Sequence, residues 1–381
     1  MFDIFEKKKN EDRRKSIVPI LFFAFIAVVG ICLAFFHPAK YLELEKRDRK
    51  EFPDFSMQAF FSGQWGKNFE EWIADAMPGR DFFMALNAYA GRLLKGNYTG
   101  EIYVDQAGNL IEAPVPYDEA SLEKNLAAIT NFSQNTDIPV YLMVPPTAGY
   151  TAKDRLPARI WETYYDEAFM QNVSQQVEGS LEIIDLLKPF SFSDQQLFYQ
   201  TDHHWNVNGI YLAYTSICDR LGLDKLTPDE YQITRYEGFR GTTYSRSALY
   251  LHKPDTLELW QPPCSVSVWF SDTNQTYDSL FFTEYLDDAD MYPVYLDSNH
   301  GLTVVDNLDK NTGEVLMLVK DSYANSLVPL LIAHYDKIVM VDVRNYKPAI
   351  SELLDEYGVT QIIVLQSVEH LITDTNLLWI R

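Results

Sequence analysis

Cysteine is nearly absent from this sequence, with three in 381 residues. Cys32 falls in an apolar run, and Cys218 and Cys264 stand too far apart for a redox pair or a cysteine-built zinc site. Whether those two join in a disulfide or remain buried thiols is open at this level. Histidine is also scarce, at seven. Basic side chains are outnumbered 32 to 54, for a formal charge of −22, and residues 1–16 hold six of the basic and four of the acidic ones, which leaves the remainder at −24. A surface that acidic repels a phosphate backbone, and with no basic stripe or aromatic RNA-binding pattern a nucleic-acid partner is excluded. Repeats and low-complexity tracts are missing too. A content of 47% hydrophobic and 14% aromatic residues argues against disorder over most of the chain.

What is present begins with an uncharged run, SIVPILFFAFIAVVGICLAFF, at 16–36. At about 1.5 Å per helical residue it is long enough to cross a hydrocarbon core of roughly 30 Å. Lys7, Lys8, Lys9, Arg13, Arg14 and Lys15 precede it, so the positive-inside rule predicts a cytoplasmic tail at 1–16, a transmembrane signal anchor at 17–36 and an outward-facing remainder in the cell membrane. The run exceeds a usual signal-peptide core of roughly 7–15 residues and no A-x-A site follows, so an anchor is expected rather than a cleaved leader. A charged tether is expected at 37–60. Beyond it, FEEWIADAMPGRDFFMALNAYAGRLL carries apolar residues at three- and four-residue steps broken at Pro78-Gly79, the pattern of a helix, a turn and a second helix.

Five short aliphatic runs follow, at 139–144, 181–187, 314–319, 337–343 and 361–366, interleaved with helical patterns at 118–134, 160–178, 207–221, 323–335 and 347–357. Strand and helix in alternation predict an α/β domain over 61–381, a three-layer α/β/α arrangement around a largely parallel sheet. Residues 223–312 break the rhythm and are expected to form an irregular insertion of hairpins and loops.

Two stretches carry candidate chemistry. TDHHWN, at 201–206, gathers an aspartate and two of the seven histidines. VLMLVKDSYANSL, at 315–327, places Ser322 in a strand-to-helix turn, where a hydroxyl is lifted from the sheet edge beside backbone N–H groups. By itself Ser322 also suits helix capping, worth about 1 kcal/mol. Together the stretches supply a nucleophile, a base and an orienting acid: in an extended loop Asp202 and His204 point to one side and His203 to the other, so Asp202 can orient His204 and His204 can deprotonate Ser322. His203 is then structural or a substrate contact. A metal held by Asp202, His204 and a distant Asp321 is the competing reading, although adjacent histidines rarely converge on one ion; no metal or other cofactor is called for by the triad. Trp205 suits either a sugar face or packing. Arg344, after the strand at 337–343, suits either a substrate hydroxyl or carboxylate or a surface ion pair.

LFYQTDHHWNVNGIYLAY (197–214), VKDSYANSLVPLLIAHYDKIVMVDVRNY (319–346) and the membrane-proximal FEEWIADAMPGRD (69–81) resemble the DHHW family of bacterial surface proteins. That family is similar to the alginate O-acetyltransferase proteins AlgJ and AlgX, which carry an SGNH-hydrolase-like domain. The resemblance implies a circularly permuted motif order, Asp202 and His204 before Ser322. It implies acetyl transfer to, or ester cleavage from, a cell-envelope polysaccharide, with a multi-pass membrane acyltransferase as the acetyl supplier. Lys320-Asp321 departs from the Gly-Asp that precedes the serine in such turns. Asn299 is a candidate, by residue type, for the oxyanion-hole asparagine. A degenerate, anchored carbohydrate-binding or scaffold protein on the same fold is the alternative.

Overall fold

The computed structural model describes residues 17, 19–31, 39–99 and 101–381. They fall into two compact units, Met1–Ala90 and Gly91–Arg381, a division later than the boundary expected near residue 60.

In the first unit residues 19–31 are helical. Among the described residues no helix is long and apolar enough to cross a membrane; the expected tail at 1–16 lies outside the described residues, as does part of the expected span at 17–36. The expected tether is not a free strand of charges. Tyr41–Leu42 and Arg47–Asp48 pair antiparallel, and Arg47 grips the buried Asp75 through both terminal nitrogens, at 2.8 and 2.7 Å. The predicted helix pair is present as Gln64–Ala76 and Arg80–Leu94. Gly79 holds the turn between them at φ +71, a conformation that side chains with a Cβ rarely adopt.

The second unit is built on an eight-stranded sheet. In chain order its elements are α1 (Glu119–Gln134), β1 (Val140–Met143), α2 (Asp166–Val177), β2 (Glu182–Ile184), α3 (Val207–Leu221), β3 (Val266–Phe270), β4 (Gln275–Tyr277), β5 (Leu302–Asn307), β6 (Val315–Lys320), α4 (Tyr323–Leu331), β7 (Lys337–Val341), α5 (Ile350–Tyr357), β8 (Gln361–Leu365) and α6 (Val368–Thr373). Across the sheet the order is β4-β3-β5-β7-β6-β8-β1-β2. The block from β7 to β2 is parallel; β5, β3 and β4 extend it antiparallel. All five predicted strands are in the parallel block. The insertion expected to form hairpins and loops supplies β3 and β4 as a hairpin and, with β5, the antiparallel side of the sheet; SVSVWF, which holds β3, alternates buried and half-buried side chains with the period of two of a strand.

Side-chain alternation along β6 creates the layers. Leu316 and Leu318 face a core roofed by α3 and α4; Met317 and Val319 face a second core roofed by α1, α2, α5 and α6. These four side chains are fully buried, each worth about 1.5–3 kcal/mol of apolar transfer. The carboxyl end of β6, flanked by β7 and β8 in the parallel block, is thereby held rigid from both faces. It is there that Ser322 emerges.

Candidate active site

Ser322 stands at the N-cap position of α4 but does not cap it: its hydroxyl accepts no helix N–H. That work falls to Asp321, which accepts from Tyr323 N at 3.0 Å, Ser367 N at 2.7 Å and His370 Nδ1 at 2.9 Å. Burial raises the Asp321 carboxyl, but the His370 hydrogen bond and charge, with the two backbone donors, outweigh it and bring it down to about 2. The Ser322 hydroxyl is left to face His204, whose Nε2 lies 2.8 Å from Oγ.

His204 comes from a loop locked by the rest of its own motif. Asn206 caps α3 through Asn208 N and Gly209 N, and the loop closes on itself through Asn206 N to Leu197 O and Tyr199 N to His204 O. Asp202 Oδ1 accepts from His204 Nδ1 at 2.6 Å and from His204 N at 2.9 Å. Its Oδ2 accepts from Thr242 N at 2.7 Å. Burial pushes Asp202 upward, but the two neighbouring imidazoles and the hydrogen bonds from His204 hold it well below the usual carboxylate range. For His204 burial dominates and, with His203 beside it, lowers its pKa against the pull of Asp202. The neutral imidazole, donating from Nδ1 and accepting at Nε2, is the tautomer this geometry selects. Tyr292 stacks on the ring at 3.9 Å and 10°, fixing its plane.

Ser322, Asp202, His203 and Thr242 line a cavity of about 450 Å³ in the second unit, walled further by Pro145 and Tyr165. His203, expected to point away from Asp202 and His204, instead packs its ring on His204 with centroids 3.9 Å apart and brings Nδ1 to 2.8 Å from Thr242 Oγ1 and 3.8 Å from Asp202 Oδ1, while its side chain stays partly open at 37% exposure.

The family model for DHHW proteins matches residues 117–341, more than half of the sequence. The chain belongs to the DHHW family. Among solved structures it is similar to a DHHW family protein from Eubacterium siraeum, at 19% identity and TM-score 0.63 over 74% of this chain and 95% of that one. It is similar to Bacillus cereus PatB1 carrying a sulfonyl adduct, at 19% identity and TM-score 0.62 over 74% and 98%. The O-acetyltransferase domain of Pseudomonas putida AlgJ is matched at 14% identity and TM-score 0.44 over 72% and 92%. At such identities the first two likenesses establish the fold. No curated protein matches the sequence.

The remaining candidate residues of this DHHW protein separate clearly. Trp205 is fully buried, donates Nε1 to Ser326 Oγ at 3.0 Å and meets Tyr323 edge-on, so it packs the floor and cannot stack on a sugar. Asn299 is absent from the cavity wall. Its Oδ1 accepts from Lys320 Nζ at 2.6 Å, so its amide sits on the Lys320 side of the sheet and away from the cavity where the expected oxyanion donor would act. Arg344 does line the cavity, braced by Asp342 through Nε at 2.8 Å and a terminal nitrogen at 2.5 Å. Asp202, His203 and His204 place one ligand-type atom each within 4.8 Å of one another. Both Asp202 oxygens and His204 Nε2 are already taken by donors or by Ser322, which disfavours a metal there. Cys218 and Cys264 are both unpaired.

Four features escaped the sequence. Gly241 leaves room for Asp202, since a Cβ on it would lie 2.1 Å from the Asp202 side chain. Tyr292, the Asp321–His370 pair and the buried Asp342 complete the surroundings. Lys320, which replaces the usual glycine, points to the α3/α4 side of the sheet; there Asn299 and Asn325 oxygens accept from its ammonium at 2.6 and 2.8 Å and Asp342 lies at 3.8 Å. Burial pulls its pKa down to about 8.

Proposed function

We propose that this chain is an extracytoplasmic acyltransferase or esterase that carries an acetyl group on Ser322 and acts on a cell-envelope polysaccharide. The observation that carries the proposal is the continuous line from Asp202 Oδ1 to His204 Nδ1 at 2.6 Å and from His204 Nε2 to Ser322 Oγ at 2.8 Å, opening on a 450 Å³ cavity. Both distances are within the reach of about 2.6–3.2 Å that proton transfer needs.

In the first step Ser322 Oγ bonds to the acetyl carbonyl carbon while its proton passes to His204 Nε2. Asp202 stabilises the imidazolium without taking its proton. Collapse of the tetrahedral adduct breaks the bond to the leaving oxygen, which receives the proton from His204. In the second step a sugar hydroxyl gives its proton to His204 and attacks the acetyl-serine, and as the adduct collapses Ser322 Oγ leaves and takes that proton from His204; with water in place of the sugar the product is acetate. The motif resemblance to the alginate O-acetyltransferase proteins supports acetyl as the group carried and an SGNH-hydrolase-like, permuted domain as its vehicle. An anchor at 17–36 and a multi-pass membrane acyltransferase that delivers acetyl across the membrane belong to the same proposal.

The test is acetylation of the purified chain by a chromogenic acetyl ester. Ser322 should be acetylated, seen as a mass shift on its peptide and a burst of the leaving group, and both should vanish in Ser322→Ala and His204→Ala. Adding polysaccharide should divert acetyl from acetate to the polymer if transfer is the native outcome. Full activity in Ser322→Ala overturns the proposal.

A further inference from the structure

The cavity beside Ser322 contains a second ionic centre that the acyl chemistry leaves unused. Arg344 and His370 both line it. Each is braced from behind by a fully buried carboxylate, Arg344 by Asp342 and His370, through Nδ1, by Asp321. The braces fix the plane of the guanidinium and of the imidazole. What the two groups turn toward each other is Arg344 NH1 and His370 Nε2, 3.5 Å apart.

Charge sharpens the point. Lys320 and Arg344 are balanced by Asp321 and Asp342, within one chain of contacts that runs from Lys320 to Asp342, Arg344, His370 and Asp321. Burial lowers the His370 pKa, but the hydrogen bond and charge of Asp321 win and leave it raised. Asp374 acts on both Arg344 and His370 as a further negative charge; a protonated His370 offsets it and makes Nε2 a donor. Two N–H donors then stand side by side at the cavity wall with no acceptor between them, an arrangement that a two-oxygen anion satisfies with charge-assisted hydrogen bonds. Of the carboxylates lining the same cavity, Glu112 is engaged by Arg246 and Thr243, Asp166 by Thr147 and Asp202 by His204 and Thr242. Glu369 is exposed.

We propose that Arg344 NH1 and His370 Nε2 form an oxyanion-binding subsite, taking a carboxylate or phosphate carried by the glycan whose hydroxyl reacts at Ser322. The role of the bound glycan rests on the acyl-transfer proposal; the binding itself does not. The shared chemistry is a singly or doubly charged oxyanion with two oxygens free to accept.

The test uses the full-length Ser322→Ala chain, which binds without turning over, titrated calorimetrically with three trimers: galacturonate, neutral galactose and glycerol phosphate. At least one anionic trimer should bind ten-fold or more tightly than the neutral one, and the better of the two identifies the carboxylate or phosphate source. His370→Gln leaves the Arg344–Asp342 pair in place but removes the counter-charge of Asp321, so its fold is checked by circular dichroism and Tm; with the fold retained it should cut that preference below three-fold. Arg344→Lys should weaken it while the neutral trimer is unaffected. Equal affinity for all three trimers, or an anion preference untouched by both substitutions, overturns the subsite. A wild-type chain that never acetylates Ser322 would instead overturn the acyl-transfer proposal and leave the binding result standing.

Discussion

Gly241→Ala isolates the geometry of the proposed triad without altering any of its members. Gly241 has φ −84 and ψ −170, open to any residue, so backbone strain contributes nothing to the effect. Space does. The new methyl would lie 2.1 Å from Asp202 Cβ and Oδ2 and 2.5 Å from Cγ, against an ordinary carbon contact of about 3.5–4.0 Å. The overlap involves the root of the Asp202 side chain as well as its tip, so a rotamer change does not relieve it. Either the loop at 201–206 or the helix Thr242–Ser247 must move by roughly 1 Å, and overpacking of this kind costs about 1–3 kcal/mol. The catalytic loss is larger. A 1 Å misplacement near reacting atoms costs on the order of 10² in rate, and full loss of the acid that orients the histidine in the serine-protease template costs about 10⁴. The acetylation rate in a rapid-mixing burst experiment should therefore fall 10²- to 10⁴-fold, with a modest drop in Tm. Combining Asp202→Gly with Gly241→Ala removes both the root and the tip of the overlap, so the double variant should melt higher than the sum of the two single effects and should not regain activity. Acetylation of Gly241→Ala within three-fold of wild type would refute the argument.

The pH dependence of the acetylation rate follows from burial of His204. The base works when neutral, and burial together with His203 lowers its pKa, so the rate should rise through an inflection below 6.5 and be level above it; Asp202→Asn, which removes the charge that favours the imidazolium, should move the inflection lower still, and an inflection above 7 in the wild type would contradict the assignment. Trp205→Phe should leave the KM for a glycan acceptor unchanged while lowering stability by about 0.5–1.5 kcal/mol, because Ser326 Oγ loses one of its two buried donors and keeps Tyr292; a raised KM with unchanged stability would return Trp205 to the substrate.

The parallel half of the sheet was legible because strands buried on both faces must be aliphatic throughout. β6, with Leu316, Met317, Leu318 and Val319 all fully buried, has no other way to be written. The antiparallel edge was hidden because β3 and β5 lie between long irregular segments, and a strand of five or six residues gains its partners only through contacts remote in sequence. Val266 pairs with Asn307 and Leu302 with Val341. Local pattern holds no record of such distances.

The site divides along the same line. Asp202, His204 and Ser322, which the structure brings within hydrogen-bond reach, were singled out because their chemistry is unusual for their setting: a D-x-H on one loop, and a serine at the carboxyl end of a buried strand. Asn299 and Trp205 were misplaced because residue type alone was asked to indicate direction, and both point away from the cavity. His370 escaped for a different reason. Nothing around it announces a function, and its partner Asp321 is 49 residues away, yet Asp321 was already conspicuous as the residue before the serine. A carboxylate in that turn, buried between the ends of two parallel strands, requires a counter-charge as well as backbone donors. The adjacent Lys320 cannot supply it, because alternation along β6 sends its side chain to the opposite face. The cation must therefore come from the element that follows the neighbouring strand β8, and α6 contains a single histidine.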